Sequence, residues 1–333
     1  PQRVYIDVRS PSEFEIDSVI GAVNIPLFDD NERREVGTIY RMAGRDDAVI
    51  RGTAIAGEKL KELIEAFMRY RDNNIVILCA RGGMRSGSIA SLLASLGLTV
   101  FRLKDGYKGY RRHIVKQTGE MTLTAPLFVL QGLTGTGKTE IIRALPHSID
   151  LEGMAGHRSS VFGGIGLASR SQKRFESLIM GRLDSLHGAS HFIVEGESRK
   201  IGNLHIPDRF HAMMQAAPVI LIEASMERRQ EILLREYRDF CDDENIPAIV
   251  KSLTMKLGHA QIARLLDLYS RGNLGEFIRI LLEKYYDPLY MHTLKRKDCI
   301  ARIENRGTDA AAAAVQSAIE GYLGQGTSGP TVR

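Results

Sequence analysis

Tryptophan is absent from the chain, and only three cysteines occur, Cys79, Cys241 and Cys299. Their spacing excludes a disulfide framework and a cysteine-ligated metal module, and so few cysteines fit a reducing compartment. Without tryptophan, any stacking on a planar base falls to tyrosine, phenylalanine or arginine. Long apolar runs are also missing. The longest, such as Val219-Ile220-Leu221-Ile222, have buried-strand length, far below the ~18 residues that span a bilayer. Neither sign of charge dominates: 45 basic residues face 40 acidic ones, a net +5 that permits a phosphate ester or RNA as partner without requiring one. Pro1-Gln2-Arg3 leads straight into a strand-like Val4-Tyr5-Ile6-Asp7-Val8, so no secretory segment is expected, and a cytoplasmic protein without membrane contact is.

What is present suffices for two sizeable cores. The 333 residues are 44% hydrophobic and 26% charged, which excludes collagenous, low-complexity and wholly disordered chains. Up to about residue 115, short strands at 4–8, 22–25, 75–78 and 100–103 alternate with helices. Leu60, Leu63, Ile64 and Phe67 share one helical face, as do Ile89, Leu92, Leu93 and Leu96, with Gly97 as a stop. The charge-rich stretch 29–51 has no steady period and reads as a long insertion or a surface helix. A polar link at 116–123 precedes a second α/β unit with strands at 127–130, 192–194 and 219–222. Past Met226 no further strand is expected. Ile262, Leu265, Leu266 and Tyr269 give one helical face there, and Phe277, Ile280, Leu281 and Lys284 another. The alternation predicts an α/β fold: a mostly parallel sheet domain over 1–118, then an α/β domain over 119–333 with a helical C-terminal part at about 226–323.

Two constellations carry chemistry. Cys79-Ala80-Arg81-Gly82-Gly83-Met84-Arg85-Ser86 lies between a strand and an amphipathic helix. Backbone amides, the helix N-terminus, Arg81 and Arg85 there all favour a thiolate, and would equally hold a persulfide-type anion on that sulfur. The plainer reading is a buried cysteine at the end of a core strand, and it is kept for Cys241 and Cys299. Gly132-Leu133-Thr134-Gly135-Thr136-Gly137-Lys138-Thr139 fits the phosphate-loop pattern and sits between a strand and a helical run, as that mechanism requires. Its amides wrap a diphosphate, Lys138 neutralises it, and the Thr139 hydroxyl can ligate Mg²⁺. Glu195, at the end of strand 192–194, is the candidate metal partner, with the Asp150-Leu151-Glu152 carboxylates as the other choice; capping the next helix would explain Glu195 equally well. The basic, glycine-containing loop from Gly156 through Gly164 offers Arg158 to phosphate or is simply solvated. Arg170, Lys173, Arg174, Tyr285, Tyr286, Lys295 and Arg296 are candidate RNA contacts, set against a solvated helix edge with core tyrosines. Arg228 and Arg229 could also reach the phosphates, and a Glu231–Arg235 pair is expected on the same helix.

The first part of the chain resembles a rhodanese domain through Asp7-Val8-Arg9, Glu13-Phe14, Gly21-Ala22-Val23-Asn24-Ile25-Pro26, the cysteine loop and Leu103-Lys104-Asp105-Gly106-Tyr107. In that family the loop cysteine carries transferable sulfur or selenium. Fused to a phosphate-loop domain, it resembles the tRNA 2-selenouridine synthases, which modify the wobble uridine of certain bacterial tRNAs. Further matches are Asp29-Asp30-Asn31-Glu32-Arg33, Val36-Gly37-Thr38-Ile39-Tyr40, the loop from Asp150 through Gly163, and Gln172, Phe175 and Glu176. The family usually has more residues before its Asp-Val-Arg than the six present here. The resemblance implies a transferase that geranylates 2-thiouridine in tRNA with geranyl diphosphate, then replaces the sulfur by selenium from selenophosphate made by an upstream enzyme. Cys79 would then be the selenium carrier, steadied by Arg81 and Arg85, and Lys138 with Mg²⁺ would hold the pyrophosphate. The residues alone leave two alternatives: an ATP-dependent RNA sulfurtransferase using a Cys79 persulfide, and a non-catalytic, nucleotide-switched RNA-binding module.

Overall fold

Residues 2–237, 243–289 and 298–326 are described by the computed structural model. They fall into two units. One comprises the chain up to Glu120 together with Ser171–Gly181; the other comprises Met121–Arg170 and the chain from Arg182 onward. The link expected at 116–123 is largely helix, since the helix entering it runs to Glu120.

In the first unit the elements run β1 (Arg3–Asp7), α1 (Pro11–Ile16), β2 (Val23–Asn24), α2 (Asp30–Met42), α3 (Arg45–Glu58), α4 (Leu60–Met68), β3 (Asn74–Leu78), α5 (Met84–Ser95), β4 (Val100–Arg102) and α6 (Gly106–Glu120). The sheet order is β2-β1-β3-β4, and every pairing is parallel. Parallel strands need helical crossovers and covered faces. Ile6, Ile75, Ile77, Phe67 and Leu93 accordingly form a closed core with Cys79 at its edge. The stretch 29–51 is mainly helical, as α2 and the first half of α3. Asp29 starts α2 by accepting from the Glu32 amide, while the Glu32 carboxylate accepts from the Asp29 amide.

Ser171–Gly181 belongs to this first unit, although the sequence alone leaves it in the second. Polar bonds account for that. Ser171 donates to the Ile16 carbonyl at 2.5 Å, Arg174 to the Ser18 carbonyl at 3.3 Å and Ser177 to Asp17 at 3.3 Å, while Arg111 pairs with Glu176. Such side-chain bonds leave no periodic trace.

The second unit contains β5 (Leu127–Gln131), α7 (Lys138–Ala144), β6 (Ser148–Ile149), α8 (Leu151–Ala155), the end of α9 (Gln172–Ser185), β7 (Phe192–Glu195), the hairpin β8 (Lys200–Ile201) and β9 (Leu204–His205), α10 (Asp208–Ala216) and β10 (Val219–Glu223). Helices α11 (Met226–Tyr237), α12 (Ile246–Ser252), α13 (Thr254–Leu257), α14 (His259–Ser270) and α15 (Leu274–Leu281) follow, and then a π-helical turn, Leu282–Tyr286. The expectation that strands end at Met226 is wrong. A fifth strand, β11 (Cys299–Glu304), precedes the last helix, α16 (Thr308–Gly326), and completes the parallel sheet β11-β10-β5-β7-β6. Its charged positions Arg302 and Glu304 are exposed and only Ile303 is buried, so an edge strand with one core residue carries too little apolar signal to be read. The central β5 is buried along its whole length.

Candidate functional site

The first cradle is built where β3 gives way to α5. The amides of Tyr107 and Lys108, at the start of α6, donate to the carbonyls of Cys79 and Ala80 at 2.8 and 3.0 Å, which fixes the backbone of the loop. Gly106 makes this approach possible. Its φ is +55°, and a Cβ there would overlap the Cys79 carbonyl oxygen. Gly106→Ala is therefore expected to destabilise the first unit by about 2–3 kcal/mol, read as an earlier urea-unfolding transition.

Tyr107 is anchored in turn. Arg9 lies over its ring at 3.9 Å, and the Tyr107 hydroxyl donates to Asp17 at 3.0 Å. Asp7 holds Arg9 through a buried ion pair at 2.6 Å and accepts from Ser18 at 2.6 Å. Asp7, Arg9, Gly106 and Tyr107 thus form one clamp that positions the cysteine loop.

Cys79 is 3% exposed, yet it lines a cavity of about 1450 Å³ together with Arg81, Met84 and Arg85. Ser86, on the first turn of α5, places its hydroxyl 3.1 Å from the sulfur. Loss of solvent favours the neutral thiol. The Ser86 hydroxyl, the Ser86 and Arg81 amides and the Arg85 charge outweigh it, and the thiol pKa lies below its ordinary value. Arg85 is not a free cation: it pairs with Glu13 at 2.9 Å. Arg81 is exposed at the rim. Ser86→Ala is expected to move the pH midpoint of Cys79 alkylation upward and to slow iodoacetamide labelling at pH 7 roughly fivefold, followed by peptide mass spectrometry.

The second cradle follows β5. Thr136 donates its hydroxyl to the Leu133 carbonyl at 2.9 Å, and Lys138 Nζ lies 2.8 Å from the Gly132 carbonyl oxygen, inside the loop. Thr134 offers its carbonyl to Arg229 at 2.8 Å, and Arg229 is held by Asp287 at 2.5 Å. Arg229 therefore braces the loop and does not reach for phosphate; Arg228 pairs with Glu231, and Arg235 pairs with Glu140 in place of the expected Glu231. Asn305, just past β11, donates to the Thr136 carbonyl at 2.8 Å. Gly137, at φ +83°, leaves room for that amide, since a Cβ would sit 2.5 Å from Asn305 Nδ2. Sequence reasoning missed Asn305 because it missed the strand before it.

Carboxylates face the loop. Thr139 donates to Glu152 at 3.0 Å, and Glu195 at the end of β7 accepts from the Glu152 amide at 3.3 Å, while its other oxygen is buried without a partner. Burial, and then the Glu152, Asp150 and Glu197 charges, raise the Glu195 pKa well above the carboxylate range. Loss of solvent and Glu152 push Glu197 up to about 7, against the pull of Lys138. Asp150 is committed elsewhere: it caps α8 through the Gly153 amide at 2.7 Å and pairs with Arg143 at 2.7 Å. Glu195 keeps one bare oxygen, whereas Glu152, from the other candidate segment, accepts from Thr139 and from the Ser159 amide at 2.6 Å. No group of three or more His, Cys, Asp and Glu side chains suited to a metal occurs among the described residues. A hydroxyl, one or two carboxylates and phosphate oxygens are nevertheless a Mg²⁺ donor set.

The other candidates divide. Arg158 lines the phosphate cavity of about 750 Å³, but it pairs with Glu236 and donates to the Ile165 carbonyl at 3.0 Å. Arg170 lines the same cavity and donates to the Gly153 carbonyl at 3.1 Å. Lys173 is exposed, whereas Arg174 is bound to Ser18. Tyr285 and Tyr286 are not RNA contacts; both are buried in the helical core, their rings edge-to-face at 5.0 Å. The π-helical turn brings the two adjacent tyrosines inward together. Lys295 and Arg296, like Cys241, lie outside the described residues. No helix among the described residues is long and apolar enough to cross a membrane.

A parallel sheet with a cysteine cradle, joined to an α/β unit with a phosphate loop, defines a rhodanese–phosphate-loop fusion. Residues 1–113 match the rhodanese-like domain family, and residues 125–320 match the tRNA 2-selenouridine synthase AAA domain family. The tRNA 2-selenouridine synthase of Pseudomonas syringae pv. tomato is 33% identical over 97% of this chain and 94% of its own length. That of Chromohalobacter salexigens is 35% identical over 89% of each, and that of Cupriavidus necator 33% over 92% of each. The chain belongs to the tRNA 2-selenouridine synthase family of tRNA-modifying enzymes.

Proposed function

We propose that the chain transfers the geranyl group of geranyl diphosphate to the sulfur of wobble 2-thiouridine in tRNA, then exchanges that sulfur for selenium from selenophosphate, giving 2-selenouridine. The observation that carries the first step is the company the phosphate loop keeps. An apolar slit of about 80 Å³, walled by Phe162, Ile165, Phe277 and Leu281, shares Thr134, Ser160, Leu233 and Tyr237 with the phosphate cavity. Such walls suit an alkyl diphosphate: the four apolar side chains offer no hydrogen bond to a nucleobase, and the polar Thr134, Ser160 and Tyr237 are shared with the phosphate cavity.

In that step the base sulfur attacks C1 of the geranyl group, the C–O bond breaks, and pyrophosphate leaves with the electron pair. Lys138 and the loop amides take up the developing charge. Mg²⁺, held by Thr139 and the Glu152 and Glu195 carboxylates, would supply further neutralisation of the pyrophosphate. Alkylation makes C2 more electrophilic and turns the sulfur into a better leaving group, which opens the base to selenium presented at Cys79. The depressed thiol pKa supports Cys79 in that role.

Nucleoside mass spectrometry tests the sequence of events. 2-Thiouridine tRNA incubated with enzyme and geranyl diphosphate should yield the S-geranyl nucleoside, and added selenophosphate should convert it to 2-selenouridine. Substrate-dependent ATP hydrolysis with no requirement for geranyl diphosphate would sink the proposal in favour of an ATP-driven sulfurtransferase.

A further inference from the structure

The cavity above Cys79 is larger and more apolar than presentation of a selenium atom demands. Besides the cysteine loop, it is lined by the facing sides of α2 and α3 and by the start of α4, with Phe28, Val36, Tyr40, Val49 and Leu60 among its walls. Tyr40, Val49, Leu60 and Met84 are 53%, 41%, 38% and 46% exposed, so the apolar lining reaches the surface. Exposed apolar clusters of this kind mark binding sites. The same walls are strongly cationic. Arg34, Arg41, Arg45, Arg81 and Lys108 line the cavity without an acidic partner among the described residues. Glu13 is the one acid that lines it, and it is already engaged by Arg85 at 2.9 Å and Arg33 at 3.5 Å.

An apolar floor under a ring of arginines fits a polyanion that carries an alkyl group. We infer that this cavity receives the S-geranylated nucleotide of the tRNA, with the ten-carbon chain against Val36, Val49 and Leu60 and the neighbouring phosphates on the arginines. The inference rests on the two-step reaction proposed above. The selenium of selenophosphate adds its electron pair at C2, the C2–S bond breaks with geranylthiolate taking the bonding pair, and water cleaves the Se–P bond to release phosphate. Holding the chain beside Cys79 fixes C2 near the selenium and gives the leaving thiolate an apolar place to go. It also makes the enzyme select alkylated over unalkylated base, because only the former fills the floor.

The test compares selenation of tRNA bearing S-geranyl-2-thiouridine with tRNA bearing S-methyl-2-thiouridine, using full-length wild type and Val49→Asp and Leu60→Asp. Wild type should prefer the geranyl substrate by at least tenfold in kcat/KM, about 1.4 kcal/mol. Each variant should lose that preference through a higher KM for the geranyl substrate and retain the S-methyl reaction, which a misfolded protein would not. Equal use of both substrates by wild type, or variants that keep the geranyl preference, would overturn the inference while leaving the two-step reaction intact. Failure of wild type to selenate either alkylated tRNA would instead overturn the reaction itself.

Discussion

Lys138→Ala enzyme, supplied with 2-thiouridine tRNA and geranyl diphosphate, is expected to form S-geranyl nucleoside about 10²–10³-fold more slowly than wild type, the scale of removing one preorganised donor from a developing anion. The lysine lies inside the loop, 2.8 Å from the Gly132 carbonyl oxygen, where it meets the pyrophosphate directly. Arg158, Arg229 and Arg235 are all engaged by carboxylates. The same variant should selenate tRNA that already carries the geranyl group at the normal rate, because that step needs no pyrophosphate release. Quantitative nucleoside mass spectrometry on both substrates checks the pair of results, and prenyl transfer within tenfold of wild type would remove Lys138 from the mechanism.

Cys79→Ser should give the mirror image: geranylation within about twofold of wild type, and selenium incorporation down by at least 10³-fold. Serine is nearly isosteric and can accept the Ser86 bond, so the fold at the end of β3 is retained. What is lost is a soft sulfur that ionises more readily than an ordinary thiol, beside the incoming selenium. The depressed thiol pKa also fixes the pH dependence. The reactive thiolate is populated above a midpoint lower than that of an ordinary thiol, so selenation should fall as pH drops through that midpoint while geranylation does not follow it. Full selenation by Cys79→Ser would exclude the carrier role.

The features legible in the sequence are those carried by local pattern. Apolar runs at 75–78 and 127–130 are continuous, the helical faces of α4 and α5 repeat cleanly, and both cradles are short segments bounded by a strand and a helix. The hidden features depend on long-range bonds. Asn305 reaches a carbonyl 169 positions earlier. Ser171 and Ser177 secure a helix to the first unit by hydroxyls that look like ordinary surface residues. Tyr285 and Tyr286 stand next to Lys284 in the sequence and suggested an aromatic–basic face, but a π-helical turn sends both rings into the core. Arg158 and Arg229 were readable as cations; their carboxylate partners, which decide whether a cation is available to a ligand, were not.

The bond between Asn305 and the phosphate loop bears on how the protein is made. At typical synthesis rates, roughly 10–30 s separate the emergence of the loop from that of the amide that braces it. During that interval the nascent chain holds the glycines and the lysine but lacks the brace from the final strand. A chain cut short before residue 305 would keep the residues of the cysteine cradle but hold a phosphate loop without the brace on its Thr136 carbonyl.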